Sequence, residues 1–150
     1  MLERASWTWG LSLIVLTIAF HTTAAVVMAF VTHEIRRRIE DQAFDPLRAI
    51  PIIIGIVAAV GLILGAAHGL EATLWAAAYV WLGAFGSWMD ALFYSMGAMT
   101  TLGATGSALP LTWRMMGVLE AMNGVLLFGI STAFIFAQMQ VYWPVLWRNQ

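Results

Sequence analysis

The stretch Ser87–Pro110, SWMDALFYSMGAMTTLGATGSALP, sets the architecture of the whole chain. It is apolar and helix-compatible from Trp88 to about Thr100. Ser87 followed three residues later by Asp90 is a capping-box-like start, with the acid well placed in the first turn. At ~1.5 Å per residue such a helix covers roughly 20 Å, too short to cross a hydrocarbon core of ~30 Å. Thr100-Thr101-Leu102-Gly103-Ala104-Thr105-Gly106 follows, a hydroxyl- and glycine-rich run unsuited to a lipid-facing helix. Non-helical backbone survives at membrane depth only where it lines water or is buried in protein. A half-helix whose C-terminal dipole end aims inward, followed by free carbonyls, is a cation-binding arrangement. One chain cannot close a ring of carbonyls, so this reading asks for an oligomer around a central axis.

The rest of the chain supplies the membrane. Of its 150 residues, 61% are hydrophobic and only 10% charged, with a mean hydropathy of +0.83. Soluble domains average about a quarter charged residues, so the apolar excess points to lipid as the solvent. Trp7–Val31, Ile50–Leu70 and Leu111–Val141 are each long enough to span. Trp7–Val31 is too long for a signal h-region, and no small-residue cleavage site precedes the arginines, so it reads as a retained span. Between the second and third spans, Ala72–Pro110 is broken by Gly83, Gly86, Gly103 and Gly106. Whether 72–85 continues the second helix or lies along the interface stays open. The expected fold is an all-α membrane protein of three transmembrane helices, with a re-entrant segment between the second and third. Residues 1–48 form the first helix and its linker, 49–141 the pore unit, and 142–150 a short tail.

Charge sets the expected orientation. Arg36, Arg37, Arg38 and Arg48 fall between the first two spans and Arg148 after the third, while Arg4 and Arg114 fall on the other side. The positive-inside rule then puts the N-terminus outside and the C-terminus in the cytoplasm. Trp7, Trp9, Trp75, Trp81, Trp88 and Trp113 mark the outer level, and Trp143 and Trp147 the inner one. The minimal design fits a prokaryotic inner membrane. A net charge of -1 with no lysine offers no basic surface for nucleic acid. The absence of cysteine excludes disulfides and thiolate metal sites.

At these residues the chain resembles the potassium channels built of two helices flanking a pore loop. Ala91-Leu92-Phe93-Tyr94-Ser95 and Thr100-Thr101-Leu102-Gly103 look like that family's pore helix and the start of its filter. Trp113-Arg114 resembles its outer-mouth arginine, and Gly124 with Phe128-Gly129 its inner-helix hinge region. The resemblance covers about Leu70–Gln140 and leaves the first span as an additional peripheral helix. It implies a homotetramer passing a monovalent cation, potassium foremost, with no cofactor, soluble ligand or enzyme chemistry. Thr101 would supply the innermost filter ligand, and Leu102 and Gly103 further carbonyls. Gly124 would let the inner helix bend, and Val125 and Thr132 would face the cavity. The chain departs from the family where an aromatic residue, a second glycine and an acid would follow: it has Ala104, Thr105 and Gly106. Either Thr105 occupies the glycine position, or Gly106 does after one inserted residue. Both alternatives make the outer filter wider or differently ordered and leave strict selectivity open.

Other polar residues in the spans are expected to do something, because ionisable groups in lipid are costly. Glu120 falls on one face with Gly124, Leu127 and Ser131, and is read as bonded behind the filter or to a neighbouring helix, or else as tuning conduction. Asn123 either faces the cavity or bonds another helix. His68 and Glu71, three apart, share a helix face. With no third ligand in sequence reach they suggest packing, with Glu120 as a candidate partner, or tuning of conduction together with Glu120, and not a metal site. His21 is expected to bond another helix, with a proton relay as the alternative. Met96, Met99, Met115, Met116 and Met122 lack a regular ligand spacing and read as apolar filler, not a copper path. Two other functions stand beside a channel: a pore-fold subunit that does not conduct, and a proton or metal transporter using His21, His68, Glu71 and Glu120.

Overall fold

The computed structural model of the chain describes residues 2–41, 46–103 and 108–146, with side chains over 5–38, 50–103 and 108–143. In chain order these form α1 (Leu2–Asp41), α2 (Pro46–Trp81), α3 (Trp88–Met99) and, after a 3-10 turn at Leu111–Trp113, α4 (Arg114–Leu146). Among the described residues the protein is all-helical. Three helices are long and apolar enough to cross a membrane, over Ala5–Arg38, Ile50–Trp81 and Leu111–Trp143, as suits an integral membrane protein.

Pairings along the helices fix their directions. Ser6 meets Met116, Thr17 meets Asn123, His21 meets Ser131 and Thr32 meets Tyr142, so α1 and α4 run parallel and in step. Trp81 packs on Trp9, Glu71 on His21, and Ile53 beside Tyr142, so α2 runs antiparallel to both. The core lies along the axis of this up-down-up bundle, with Trp75, Tyr79, Met116, Leu127 and Tyr142 all buried. Outward side chains such as Val15, Phe30 and Leu62 are exposed on its flanks, as lipid-facing residues are.

Hydroxyls inside the apolar helices are satisfied locally. Thr17, Thr22, Thr23 and Thr32 each donate to the carbonyl four residues back, at 2.7–2.8 Å. At the far end of α1, Glu34 pairs with Arg37 and Arg38 one turn on, where the helix continues beyond the apolar run.

The region left open at 72–85 resolves into helix. α2 continues past Leu70 to Trp81 and then stops at Gly83, whose φ is +69°. Ala84 N–H donates to Tyr79 C=O at 2.8 Å and Gly83 N–H to Val80 C=O at 3.0 Å, the bonding pattern of a Schellman cap. A side chain at Gly83 would meet nothing within 4 Å, so its only penalty is the left-handed backbone. Gly83→Ala is therefore expected to lower stability by about 1–2 kcal/mol. Gly86→Ala, equally unobstructed and without a positive φ, should stay near wild type; thermal unfolding in detergent compares them.

Candidate functional site

α3 lies between α2 and α4 and descends along them. Ser87 caps it with an extended backbone (φ -122°, ψ 133°), accepting from Asp90 N–H at 3.5 Å, as its sequence predicts. Tyr94 then sits at the level of Tyr79 and Gly117, Ser95 at Ala72 and Glu120, and Met99 at Gly124. So α3 runs parallel to α4, and its C-terminus reaches roughly 15 Å below the start of that helix. By Leu109 the chain is back at the level of Gly117. Two glycines make this approach possible. A Cβ on Gly124 would collide with the Met99 backbone, with Cα only 2.7 Å away, and one on Gly117 would press on Tyr94 and Leu109.

The end of α3 turns most of its donors back on the helix and leaves acceptors beyond it unpaired by described residues. The N–H groups of Thr100, Thr101 and Gly103 bond back to Met96, Ala98 and Gly97. Thr100 also turns its hydroxyl back, to Met96 C=O at 2.7 Å. Thr101, Leu102 and Gly103 are exposed, and no hydrogen bond from a described residue closes on their carbonyls. Thr101 has φ +59° and Gly103 φ +83°, with Leu102 between them outside the left-handed region. For a β-branched residue such a φ is strained by on the order of 1–3 kcal/mol, and strain of this kind concentrates at functional sites. Thr101 and Gly103 line a groove of about 400 Å³ together with Tyr94, Leu109, Arg114 and Val118. Ala104, Thr105 and Gly106 lie outside the described residues.

Behind this segment stands a dry polar brace. Glu120 is fully buried and accepts from Tyr79 Oη at 2.7 Å, and it also contacts Ser95 Oγ. Ser95 in turn lies 2.8 Å from Ala72 C=O. The brace ties α2, α3 and α4 at one point. Glu120 is thus bonded to neighbouring helices, and the pairing with His68 and Glu71 weighed from sequence is not made. The reason is axial: Glu71 lies about two turns below Tyr79 on α2, out of reach of Glu120.

His68 and Glu71 meet different partners. Glu71 Oε1 lies 2.8 Å from His21 Nδ1, and Glu71 Oε2 lies 3.2 Å from His68 Nδ1. On the opposite ring edges, both Nε2 atoms face Ser131 Oγ, at 2.9 Å from His21 and 3.0 Å from His68. Sequence spacing offered no third group beside His68 and Glu71; the parallel register of α1 brings His21 there. The two rings lie 4.9 Å apart, and His68 stacks on Phe128 at 4.8 Å.

Asn123 takes the second role left open for it. It is buried and donates from Nδ2 to Thr17 Oγ1 at 2.8 Å, joining α4 to α1. Val125, Phe128, Gly129 and Thr132 lie exposed on α4, on other faces. Ser95, Tyr79, Thr17 and Ser131 are the polar partners that sequence reading passed over. Their signal was helical spacing: Glu71, Trp75 and Tyr79 recur every four residues once α2 is continued. The chain matches no protein-family model, no curated protein and no solved structure.

Proposed function

We propose that the chain is one subunit of a homotetrameric, passive channel for monovalent cations. The observation that carries this reading is the exposed Thr101–Gly103 backbone at the end of a half-length helix, with the N–H groups of Thr101 and Gly103 bonded back into the helix and its carbonyls unpaired by described residues. In a chain whose three long helices are apolar enough to cross a membrane, such backbone at membrane depth needs water or neighbouring protein around it. Four copies about an axis supply both, and the C-terminal dipole of α3 favours a cation there. The apolar stripe Val118, Met122, Val125, Gly129, Thr132, Phe136 on α4 follows the helical repeat beside this backbone and suits a cavity wall or a subunit contact. In this reading α3 is re-entrant, the arginine-rich end of α1 faces the cytoplasm, and the N-terminus lies outside an inner membrane. Potassium is the foremost permeant ion, with the TLGATG filter leaving selectivity between potassium and sodium to be measured.

The test is cation flux into liposomes carrying the purified tetramer, under potassium and then sodium gradients. Wild type is expected to conduct, and Thr101→Ala to shift the potassium-to-sodium flux ratio several-fold. Absence of flux from folded tetramers, unrescued by Thr105→Gly, would remove the channel reading and leave a non-conducting pore-fold subunit.

A further inference from the structure

The cluster of His21, His68, Glu71 and Ser131 lies apart from the Thr100–Gly103 segment and has no part in the channel reading. Its hydrogen bonds can be assigned by elimination. If Glu71 is a carboxylate and both imidazoles are neutral, His21 donates to it from Nδ1, which makes His21 Nε2 an acceptor. Ser131 has one hydroxyl proton and gives it to that Nε2. His68 Nε2 must then be the donor to Ser131 Oγ. This leaves His68 Nδ1 and Glu71 Oε2, both buried atoms without a hydrogen bond, facing each other at 3.2 Å. Two acceptors held together in a dry interior repel, and a cation between them turns the repulsion into attraction.

The geometry points to a site for one divalent transition-metal ion, of the zinc class, held by His21 Nδ1, His68 Nδ1 and the Glu71 carboxylate. Two imidazoles and one carboxylate are a common ligand set for such ions. One ligand atom from each residue lies within 4.8 Å of the others, and the two nitrogen–oxygen separations are 2.8 and 3.2 Å. Bonds of ~2.0–2.1 Å in tetrahedral geometry need ligand atoms roughly 3.3 Å apart, so the two nitrogen–oxygen pairs, each to its own carboxylate oxygen, are near that spacing, and atoms as far apart as 4.8 Å must close by about 1.5 Å. The outer contacts fit as well. With both Nδ1 atoms on the metal, both Nε2 atoms carry protons and donate to the two lone pairs of Ser131 Oγ, already 2.9 and 3.0 Å away. Metal-bound histidines nearly always have such an acceptor behind them. The Ser131 hydroxyl is then released to a backbone carbonyl of its own helix. A proton added between the facing acceptors also completes the network through all four residues; a metal differs in drawing both Nδ1 atoms onto one centre, which the cobalt spectrum reads. Bound there, the ion fastens α1 and α2 to each other, with α4 behind them.

The test uses the full-length chain in detergent, stripped with a chelator and titrated with cobalt(II), then zinc. One cobalt per chain is expected, with the visible absorption of a four- or five-coordinate nitrogen–oxygen site that zinc abolishes. His68→Gln should remove the band, and Ser131→Ala should weaken binding about 10–100-fold with all ligands present. His33→Gln, on the exposed part of α1, should change nothing. Wild type without stoichiometric binding overturns the proposal, and so does a band that survives in His68→Gln. Should the variants fail to fold, zinc-edge X-ray absorption on wild type decides. Two imidazoles and a carboxylate at ~2.0 Å support the site, and any other ligand set overturns it.

Discussion

Gly124→Ala is expected to destabilise the protein by about 2–3 kcal/mol and to abolish cation flux, although an alanine in a helix ordinarily helps. The added Cβ would lie 2.7 Å from Met99 Cα and 2.8 Å from its carbonyl carbon. Ordinary contact begins near 3.4 Å, and the obstacle is backbone that no rotamer change can clear. The end of α3 must therefore move by about 1 Å, and Thr100–Gly103 with it; displacements of this size at a site can cost ~100-fold in function. Gly129→Ala is the matched control. Nothing lies within 4 Å of its Cβ, so it should be neutral or stabilise by up to about 1 kcal/mol. The pair separates two roles for Gly124. A hinge needs bending freedom, so both alanines would stiffen α4 without loss of stability. A contact point predicts loss at Gly124 alone. Chemical unfolding in mixed micelles, read beside liposome flux, tells them apart.

The two glycines also show what sequence could and could not convey. The bounds of α3 were legible to within one residue, because Ser87 is a capping residue and Thr100-Thr101 ends the apolar run. The three spans were legible because lipid imposes a length and excludes charge. The extension of α2 to Trp81 was not, since 72–81 is apolar in either role and the stop signal at Gly83 reads equally as an interfacial turn. The histidine cluster was hidden for a different reason. His21 stands 50 positions from Glu71 and 110 from Ser131, and only the parallel register of α1 on α4 unites them. That register rests on packing such as Gly10 against Leu119, which carries no local pattern. Glu120 was flagged as an ionisable group in a span, yet its partner Tyr79 lay in the segment whose conformation was open.

That brace carries the second large effect. Glu120→Ala is expected to cost about 3–4 kcal/mol, while Glu120→Gln should stay within about 1 kcal/mol of wild type. Alanine leaves the fully buried Tyr79 hydroxyl without its acceptor and opens a void beside Ser95. Glutamine replaces both contacts. Its carbonyl oxygen accepts from Tyr79, and its amide donates to Ser95 Oγ, which is then free to donate to Ala72 C=O. In the wild type Ser95 has one proton and two acceptors in reach, so the amide even relieves a competition. Tyr79→Phe removes the stranded hydroxyl, so the Tyr79→Phe, Glu120→Ala double variant should be less destabilised than the sum of the singles, by about 1–3 kcal/mol. The readout is unfolding free energy for wild type and all four variants under one detergent condition. If glutamine proves as damaging as alanine, hydrogen bonding is not what Glu120 contributes, and its charge must act on the segment in front of it. Unchanged stability with altered flux in Glu120→Gln would locate that action in conduction, whereas unchanged flux leaves the carboxyl as a brace that holds α3 between α2 and α4.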